Sequence, residues 1–109
     1  MSNVFGIPDK IEKHIRTRDT RCVYCRCEMK EHLDVRGTPS DKATIEHLRE
    51  GGPFYWKDGL QEEDVVICCG RCNASRGKKS LNDWFSSTYC LGRGINEQTV
   101  AEPVRKYLP

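Results

Sequence analysis

Two cysteine pairs of identical spacing carry the strongest chemical signal in this 109-residue chain. The pairs are Cys22-x-x-Cys25 and Cys69-x-x-Cys72, and two intervening residues let both sulfurs of a pair reach one metal from a single tight turn. Zn²⁺ prefers four such ligands in a tetrahedron, and sites made of four cysteines are usually structural. We therefore predict one structural Zn²⁺ per chain, held by Cys22, Cys25, Cys69 and Cys72.

Three further cysteines complete the seven thiols of the chain. Cys68 is adjacent to Cys69, and neighbours in a strand point to opposite faces, so we expect Cys68 in the core. Cys27 and Cys90 have no partner at metal-binding spacing, and we expect neither to bind the metal. A different interpretation of seven thiols is a redox switch that forms reversible disulfides.

A second group of residues lies between and beside the cysteine pairs. It consists of an acid followed by a histidine, an acid before a β-branched run, and an asparagine directly after the second cysteine pair. These residues are Glu46, His47, Asp64 and Asn73. Four basic residues lie before and after this asparagine, and no acidic residue lies among them. They are Arg71, Arg76, Lys78 and Lys79.

This ordered set resembles the HNH nucleases of the ββα-metal group, in the variant with a four-cysteine zinc site. The resemblance runs from about Cys22 to Phe85, which is over half of the chain. The matching elements are Cys22 and Cys25, Glu46-His47, Gly51-Gly52, Asp64, Cys69, Cys72-Asn73, Arg76-Gly77 and Trp84. The family more often has Asp at the position of Glu46 and Asn at the position of Asp64.

The resemblance implies a role for each matching residue. His47 corresponds to the general base that activates water, a task that suits imidazole because its unperturbed pKa lies near neutrality. The other implied roles are a catalytic Mg²⁺ or Mn²⁺ on Glu46 and Asn73, orientation of the histidine loop by Asp64, a phosphate contact by Arg76, and DNA backbone contacts by Arg71, Lys78 and Lys79. The implied activity is divalent-metal-dependent cleavage of DNA, by nicking or by double-strand cutting.

Each element also has a simpler interpretation. Asn73 could cap the helix after the second cysteine pair, Asp64 could end a charged turn, and the basic run could be a solvated face. The aromatic run 54–56 could stack on nucleic acid or belong to the core. The chain as a whole could be a treble-clef zinc module that binds nucleic acid or protein without catalysis, since only the nuclease needs Glu46, His47 and Asn73 together.

The strands and helices that must position these residues are short. The β-branched segments 43–45 and 65–67 predict two strands, each leading into part of the candidate site. Ile7, Ile11 and Ile15 recur every four residues and predict a helix over 7–18. Further helices are predicted from about Cys72 and from a cap at Ser80, whereas 98–108 has a helical pattern interrupted by Pro103.

Composition bounds the classes of protein that remain. Only 37% of residues are hydrophobic, and no segment approaches the roughly 20 apolar residues of a membrane span. The formal charge is +2, and a Zn²⁺ on four thiolates contributes −4 + 2 = −2, so a nucleic-acid partner must be argued from a local patch. Residues 1–9 lack the basic start and apolar run of a secretory signal, so we expect a cytoplasmic or nucleoid-associated protein in a reducing compartment.

These observations predict a single zinc-stabilised α+β domain over residues 1–109. Its ββα-metal, treble-clef-like core covers about 22–88, with the N-terminal helix at about 7–18 and a C-terminal extension over 89–109. The expected partner is DNA, most simply double-stranded. HNH modules of this kind are typical of phages and mobile elements. Restriction, homing, phage packaging and defence all use them.

Overall fold

The computed structural model describes residues 3–30 and 40–108 of the chain. Strands β1 (Ala43–His47) and β2 (Val65–Cys69) form a two-stranded antiparallel sheet. Ala43 lies opposite Cys69 and His47 lies opposite Val65. Both predicted strands are therefore confirmed, and the protein is a small α+β structure.

The described ranges contain five short α-helices besides the sheet. They are α1 (Asp9–Arg18), α2 (Gly70–Arg76), α3 (Leu81–Phe85), α4 (Thr88–Arg93) and α5 (Glu102–Tyr107). Two 3-10 turns, Trp56–Asp58 and Glu62–Asp64, lie in the connection between the strands. No helix in the described ranges is long and apolar enough to cross a membrane. The polar segment 28–41, which contains Gly37 and Pro39, is predicted from its sequence to be a loop, and its residues 31–39 lie outside the described part of the chain.

The helix boundaries differ from the predicted ones for local reasons. Helix α1 begins two residues late, because Pro8 is extended and serves as its N-cap. Helix α2 begins at Gly70 rather than near Cys72, since the Cys69 side chain caps it by accepting the Cys72 amide. Helix α3 starts after Ser80, whose hydroxyl accepts the Asp83 amide as predicted.

The C-terminal extension contains two helices. Ser87 caps α4 by accepting the Cys90 amide. This helix was not predicted, although serine is a common N-cap residue. Pro103 lies in the first turn of α5. Backbone amides of the first turn have no partner within the helix, so the amide hydrogen that proline lacks is not needed there. The proline therefore starts this helix instead of breaking it.

The sheet separates two small apolar clusters. Side chains alternate along each strand, so Ile45 and Ile67 face α1 and pack near Ile15. Val66 and Cys68 face the opposite cluster, which is built around Trp84. Because Glu46 pairs with Val66 in the register, its side chain enters this second cluster, whereas His47 belongs to the α1 side.

Candidate functional site

Four cysteines from two turns meet at one point. The Sγ atoms of Cys22, Cys25, Cys69 and Cys72 all lie within 4.8 Å of one another. The first turn is closed by the Arg26 amide, which donates to the Cys22 carbonyl at 3.0 Å. The second turn joins the end of β2 to the first turn of α2. These four thiols are therefore placed to hold one metal ion, as predicted from their spacing.

The sulfur positions suit tetrahedral thiolate coordination. A Zn–S bond of about 2.3 Å gives a tetrahedron edge of about 3.8 Å, and the Sγ atoms of Cys25 and Cys69 are 3.8 Å apart. Hydrogen bonds from the Cys22 and Cys72 side chains lower the pKa of the Cys69 thiol, which favours a thiolate. Donor type and spacing are thus consistent with structural zinc.

The remaining cysteines lie outside this cluster. Cys68 and Cys90 are buried in the Trp84 cluster, and burial raises the pKa of both thiols. Cys27 is half-buried, and burial raises its pKa as well. Within the described residues, no fifth thiol joins the four-sulfur group. The expectation that Cys68 belongs to the core is confirmed.

A pocket of about 240 Å³ at the end of β1 brings together His47, Arg76 and the two predicted ligands of the catalytic metal, whereas Asp64 lines a neighbouring depression. Glu46, His47 and Asn73 all line it, although Asn73 is 26 residues further along the chain. The rings of Phe5 and Phe54 meet the His47 imidazole edge to face, with centroids 4.4 and 5.4 Å away. The imidazole is therefore held between two aromatic rings at the mouth of a polar pocket.

The hydrogen bond of His47 determines its tautomer. Its Nε2 lies 3.1 Å from the Phe54 carbonyl oxygen, which can only accept, so Nε2 carries the hydrogen. Burial lowers the pKa of His47 more than this hydrogen bond raises it. The ring is therefore neutral at neutral pH, with a lone pair on Nδ1. Among the described residues, no group hydrogen-bonds to Nδ1.

Asn73 connects α2 to β1 through its amide nitrogen. Nδ2 donates to the Thr44 hydroxyl at 3.0 Å and to the Ile45 carbonyl at 3.1 Å. Within the described chain, its Oδ1 accepts no hydrogen bond. The alternative that Asn73 caps the helix is wrong, because Cys69 occupies that position. Asn73 thus presents a fixed amide oxygen at the pocket.

Glu46 forms a buried ion pair with Arg76. The Arg76 Nη1 lies 2.9 Å from the Glu46 Oε2, and the two side chains are 2% and 6% exposed. The Tyr24 hydroxyl donates to the same oxygen at 2.9 Å. Burial raises the pKa of Glu46, while the Arg76 charge and both hydrogen bonds oppose that shift. Among described groups, Oε1 receives no hydrogen bond.

Arg76 also donates to three backbone carbonyls. These belong to His47, Leu48 and Lys79 and lie 2.7–2.9 Å from the guanidinium nitrogens. Within the described chain, the second hydrogen of Nη2 makes no hydrogen bond, and the Glu50 carboxylate approaches this nitrogen only to 3.9 Å. Arg76 thus fastens the chain on both sides of His47 to the end of α2, and its predicted phosphate contact stays a prediction.

Asp64 lies where β2 begins and acts through the backbone. Its carboxylate accepts the Gln61 amide at 3.1 Å, and its carbonyl accepts the Leu48 amide at 2.9 Å. The first contact needs only an acceptor, so a carboxylate serves as well as an amide. Asp64 thus holds the residue that follows His47 through its own backbone carbonyl, and the orienting role implied for its side chain stays a prediction.

The basic run continues along α2 and the turn after it. Lys78 lines the His47 pocket and is exposed. Lys79 is exposed and donates to the Ser75 carbonyl, and Arg71 donates to the Ser40 hydroxyl. The aromatic run divides, with Phe54 and Tyr55 41% and 46% exposed and Trp56 packed on the α1 cluster.

Tyr24 and Phe5 are site residues that sequence reasoning missed. Tyr24 lies inside the first Cys-x-x-Cys turn, yet its hydroxyl contacts Glu46, 22 residues away. Phe5 reaches His47 from the N-terminal segment, and its carbonyl also accepts the Trp56 amide at 2.9 Å. Both contacts join residues far apart in the chain, so no local sequence pattern predicts either of them.

Comparison with protein-family models, with curated proteins and with solved structures found no match to this chain. What the chain does is therefore argued from the geometry of its own residues.

The buried ion pair leads to a stability prediction. Arg76→Met leaves Glu46 buried without its partner, and we expect the free energy of unfolding to fall by about 3–5 kcal/mol. Urea denaturation of the zinc-loaded protein measures this change. Arg71→Met on the same helix is the matched control, with an expected change within about 0.5 kcal/mol. Equal losses for the two variants would contradict a special role for the pair.

Proposed function

We propose that this chain is a divalent-metal-dependent endonuclease that hydrolyses DNA phosphodiesters. The observation that supports this best is the shared pocket, where an imidazole with an open Nδ1 lies beside an amide oxygen and a carboxylate. The proposed scaffold is a ββα-metal unit made of β1, β2 and α2. A structural Zn²⁺ on the four clustered cysteines would hold the base of this unit together.

In this proposal His47 is the general base. Its Nδ1 accepts a proton from a water molecule, the resulting hydroxide forms a bond to phosphorus, and the bond between phosphorus and the leaving sugar oxygen breaks. That oxygen then takes a proton from solvent. The Phe54 carbonyl keeps the ring in the tautomer that this step requires, and it stabilises the imidazolium that forms. The aromatic contacts with Phe5 and Phe54 limit rotation of the ring.

Asn73 Oδ1 and Glu46 Oε1 are the atoms proposed to hold the catalytic cation. Mg²⁺ keeps several waters and binds through one or two protein oxygens together with substrate phosphate, so this small donor set fits it. When bound, the cation supplies positive charge to the phosphate and to the leaving oxygen. The Arg76 contact reduces the charge that Glu46 offers, so we expect binding to be weak without DNA.

The other residues position the pocket or approach the DNA backbone. Arg76 and Asp64 each fasten a backbone group next to His47, which sets the direction of the imidazole. Lys78 lines the pocket and Lys79 follows it on the surface, where a phosphate strand could reach both. Contacts of this type are sensitive to salt and largely indifferent to base sequence.

A second candidate function is a zinc module that binds nucleic acid without cutting it. The Glu46–Arg76 pair favours this alternative, because it commits one candidate metal ligand to a structural contact. Both functions use the four cysteines and the basic residues. Only the nuclease uses Nδ1 of His47 and Oδ1 of Asn73.

Incubation of supercoiled plasmid with the purified, zinc-loaded protein separates the two functions. The nuclease converts plasmid to nicked or linear DNA when Mg²⁺ or Mn²⁺ is added, and EDTA present from the start prevents it. Retarded plasmid migration without cleavage in either metal would instead support the non-catalytic module.

The cation site leads to a metal-titration prediction. Asn73→Ala removes one proposed ligand, so we expect cleavage to need a higher Mn²⁺ concentration and to recover in part when Mn²⁺ is in excess. The measurement is the initial nicking rate against Mn²⁺ concentration. Asn82→Ala, at an exposed position of α3, is the matched control and should titrate like the parent. An unchanged midpoint for Asn73→Ala would remove it from the ligand set.

A further inference from the structure

A second depression lies away from the candidate active site and is rich in arginine. It has a volume of about 470 Å³ and is formed by the end of α1, the first cysteine turn and the start of α5. Four arginines line it, against two acidic residues. The arginines are Arg18, Arg21, Arg26 and Arg105, and the acids are Asp19 and Glu102. We call this depression the arginine groove.

Two of the four groove arginines form ion pairs, and the other two do not. Arg18 is paired with the buried Asp19 at 2.8 Å, and Arg21 lies 3.4 Å from Glu28. Within residues 3–30 and 40–108, no acidic group forms an ion pair with Arg26 or Arg105, and both side chains are exposed. The groove therefore presents two guanidinium groups whose charge the described protein does not neutralise.

Arg26 adopts a backbone conformation that costs energy for an arginine. Its φ of 67° lies in the left-handed region, and no other non-glycine residue of the described chain is found there. Glycine occupies this region without strain, whereas an L side chain does not. The turn itself needs only the backbone of residue 26, whose amide donates to Cys22. The fold thus gives no reason for an arginine at this position.

A depression that shares lining residues with each lies between the groove and the His47 pocket. Arg18 lines both the groove and a neighbouring depression, which Arg49 also lines. Arg49 in turn lines the pocket that contains His47. The middle depression has equal numbers of acidic and basic residues, so the excess positive charge lies at the groove.

We propose that the arginine groove is a second contact surface for the phosphate backbone of duplex DNA. The proposal rests on the proposed function, because a nuclease substrate that enters the His47 pocket would continue toward the groove. Guanidinium groups form paired hydrogen bonds with phosphate oxygens, and Arg26 and Arg105 supply two such groups from different parts of the chain. They anchor the duplex while the pocket acts on it.

Binding of a short labelled duplex to the zinc-loaded protein, without added Mg²⁺ or Mn²⁺, tests this proposal. Arg26→Gly and Arg105→Gln should each reduce the slope of log affinity against log salt by about 0.9, which is roughly 8-fold in affinity near 0.1 M salt. Arg26→Gly should also melt no lower than the parent, since glycine relieves the strained backbone. Lys13→Gln, which removes an exposed charge of α1 outside the groove, should bind like the parent.

The outcomes separate this proposal from the nuclease proposal. If both groove variants keep the parent's affinity and salt slope, the groove proposal is wrong, whether or not the protein cleaves DNA. If labelled poly-glutamate binds the parent as tightly as the duplex and loses affinity equally in both variants, the groove serves acidic polypeptides and the DNA assignment is wrong. If the parent binds no duplex, the groove proposal is wrong, and plasmid cleavage in Mn²⁺ decides the nuclease proposal separately.

Discussion

Serine in place of Cys69 is expected to abolish zinc binding and to unfold the protein. A structural zinc contributes on the order of 10 kcal/mol to a small domain, which matches or exceeds the usual net stability of about 5–15 kcal/mol. Cys69 also ends β2 and caps α2, so its loss disturbs the junction that carries both candidate sites. Elemental analysis for zinc and the far-ultraviolet circular dichroism of the variant measure both effects.

Cys27→Ser is the matched control for this prediction. Cys27 is two residues from Cys25 but lies outside the four-sulfur cluster, so this variant should retain one zinc per chain and the parent's spectrum. A folded Cys69→Ser protein without metal would contradict the structural role. So would a folded parent that contains no zinc.

The cysteine cluster and the sheet could be predicted because their signals are local. Each Cys-x-x-Cys turn needs only two intervening residues, and the strand at 65–69 is announced by three consecutive β-branched residues. The N-cap Ser80 is a local signal of the same kind and predicts the start of α3. Ser87 is a similar N-cap and marks the start of α4. Such features depend on a few neighbouring residues, and they agree between sequence and structure.

The partners of Glu46 could not be predicted in this way. Arg76 is 30 residues away and Tyr24 is 22 residues away, and their contacts exist only after β1, α2 and the first cysteine turn have packed. One part of the arrangement could be predicted from the sequence, however. Neighbours in a strand point to opposite faces, so Glu46 and His47 had to diverge, and only the end of the strand allows both to reach one pocket.

The surroundings of His47 were also beyond sequence reasoning. Its ring is enclosed by Phe5 from the N-terminal segment and by Phe54 from the loop after β1. Gly51, Gly52 and Gly59 predict a loop over 51–60, but its route past the histidine depends on tertiary packing. The Phe54 carbonyl decides the imidazole tautomer, and backbone carbonyls leave no trace in a sequence.

His47→Ala is expected to reduce metal-dependent plasmid cleavage by roughly 10²–10⁴-fold, the usual contribution of a general base. The side chain lies at the end of β1 and is partly exposed, so the substitution should leave zinc content, fold and DNA binding unchanged. Initial nicking rates in Mn²⁺, together with duplex binding and zinc content, measure the effect. His14→Ala is the matched control, since His14 is exposed on α1 and its imidazole pairs with Glu62, away from the His47 pocket.

Chemical rescue distinguishes a base from a merely structural histidine at this position. Alanine leaves a gap between the rings of Phe5 and Phe54, and free imidazole has the shape and pKa to enter it and accept the same proton. Added imidazole should therefore restore part of the cleavage by His47→Ala and leave His14→Ala unaffected. If His47→Ala cleaves as fast as the parent, His47 is not the base. If the variant is inactive and imidazole restores nothing at any pH above the imidazole pKa, its role is structural, and the non-catalytic zinc module becomes the better account of this pocket.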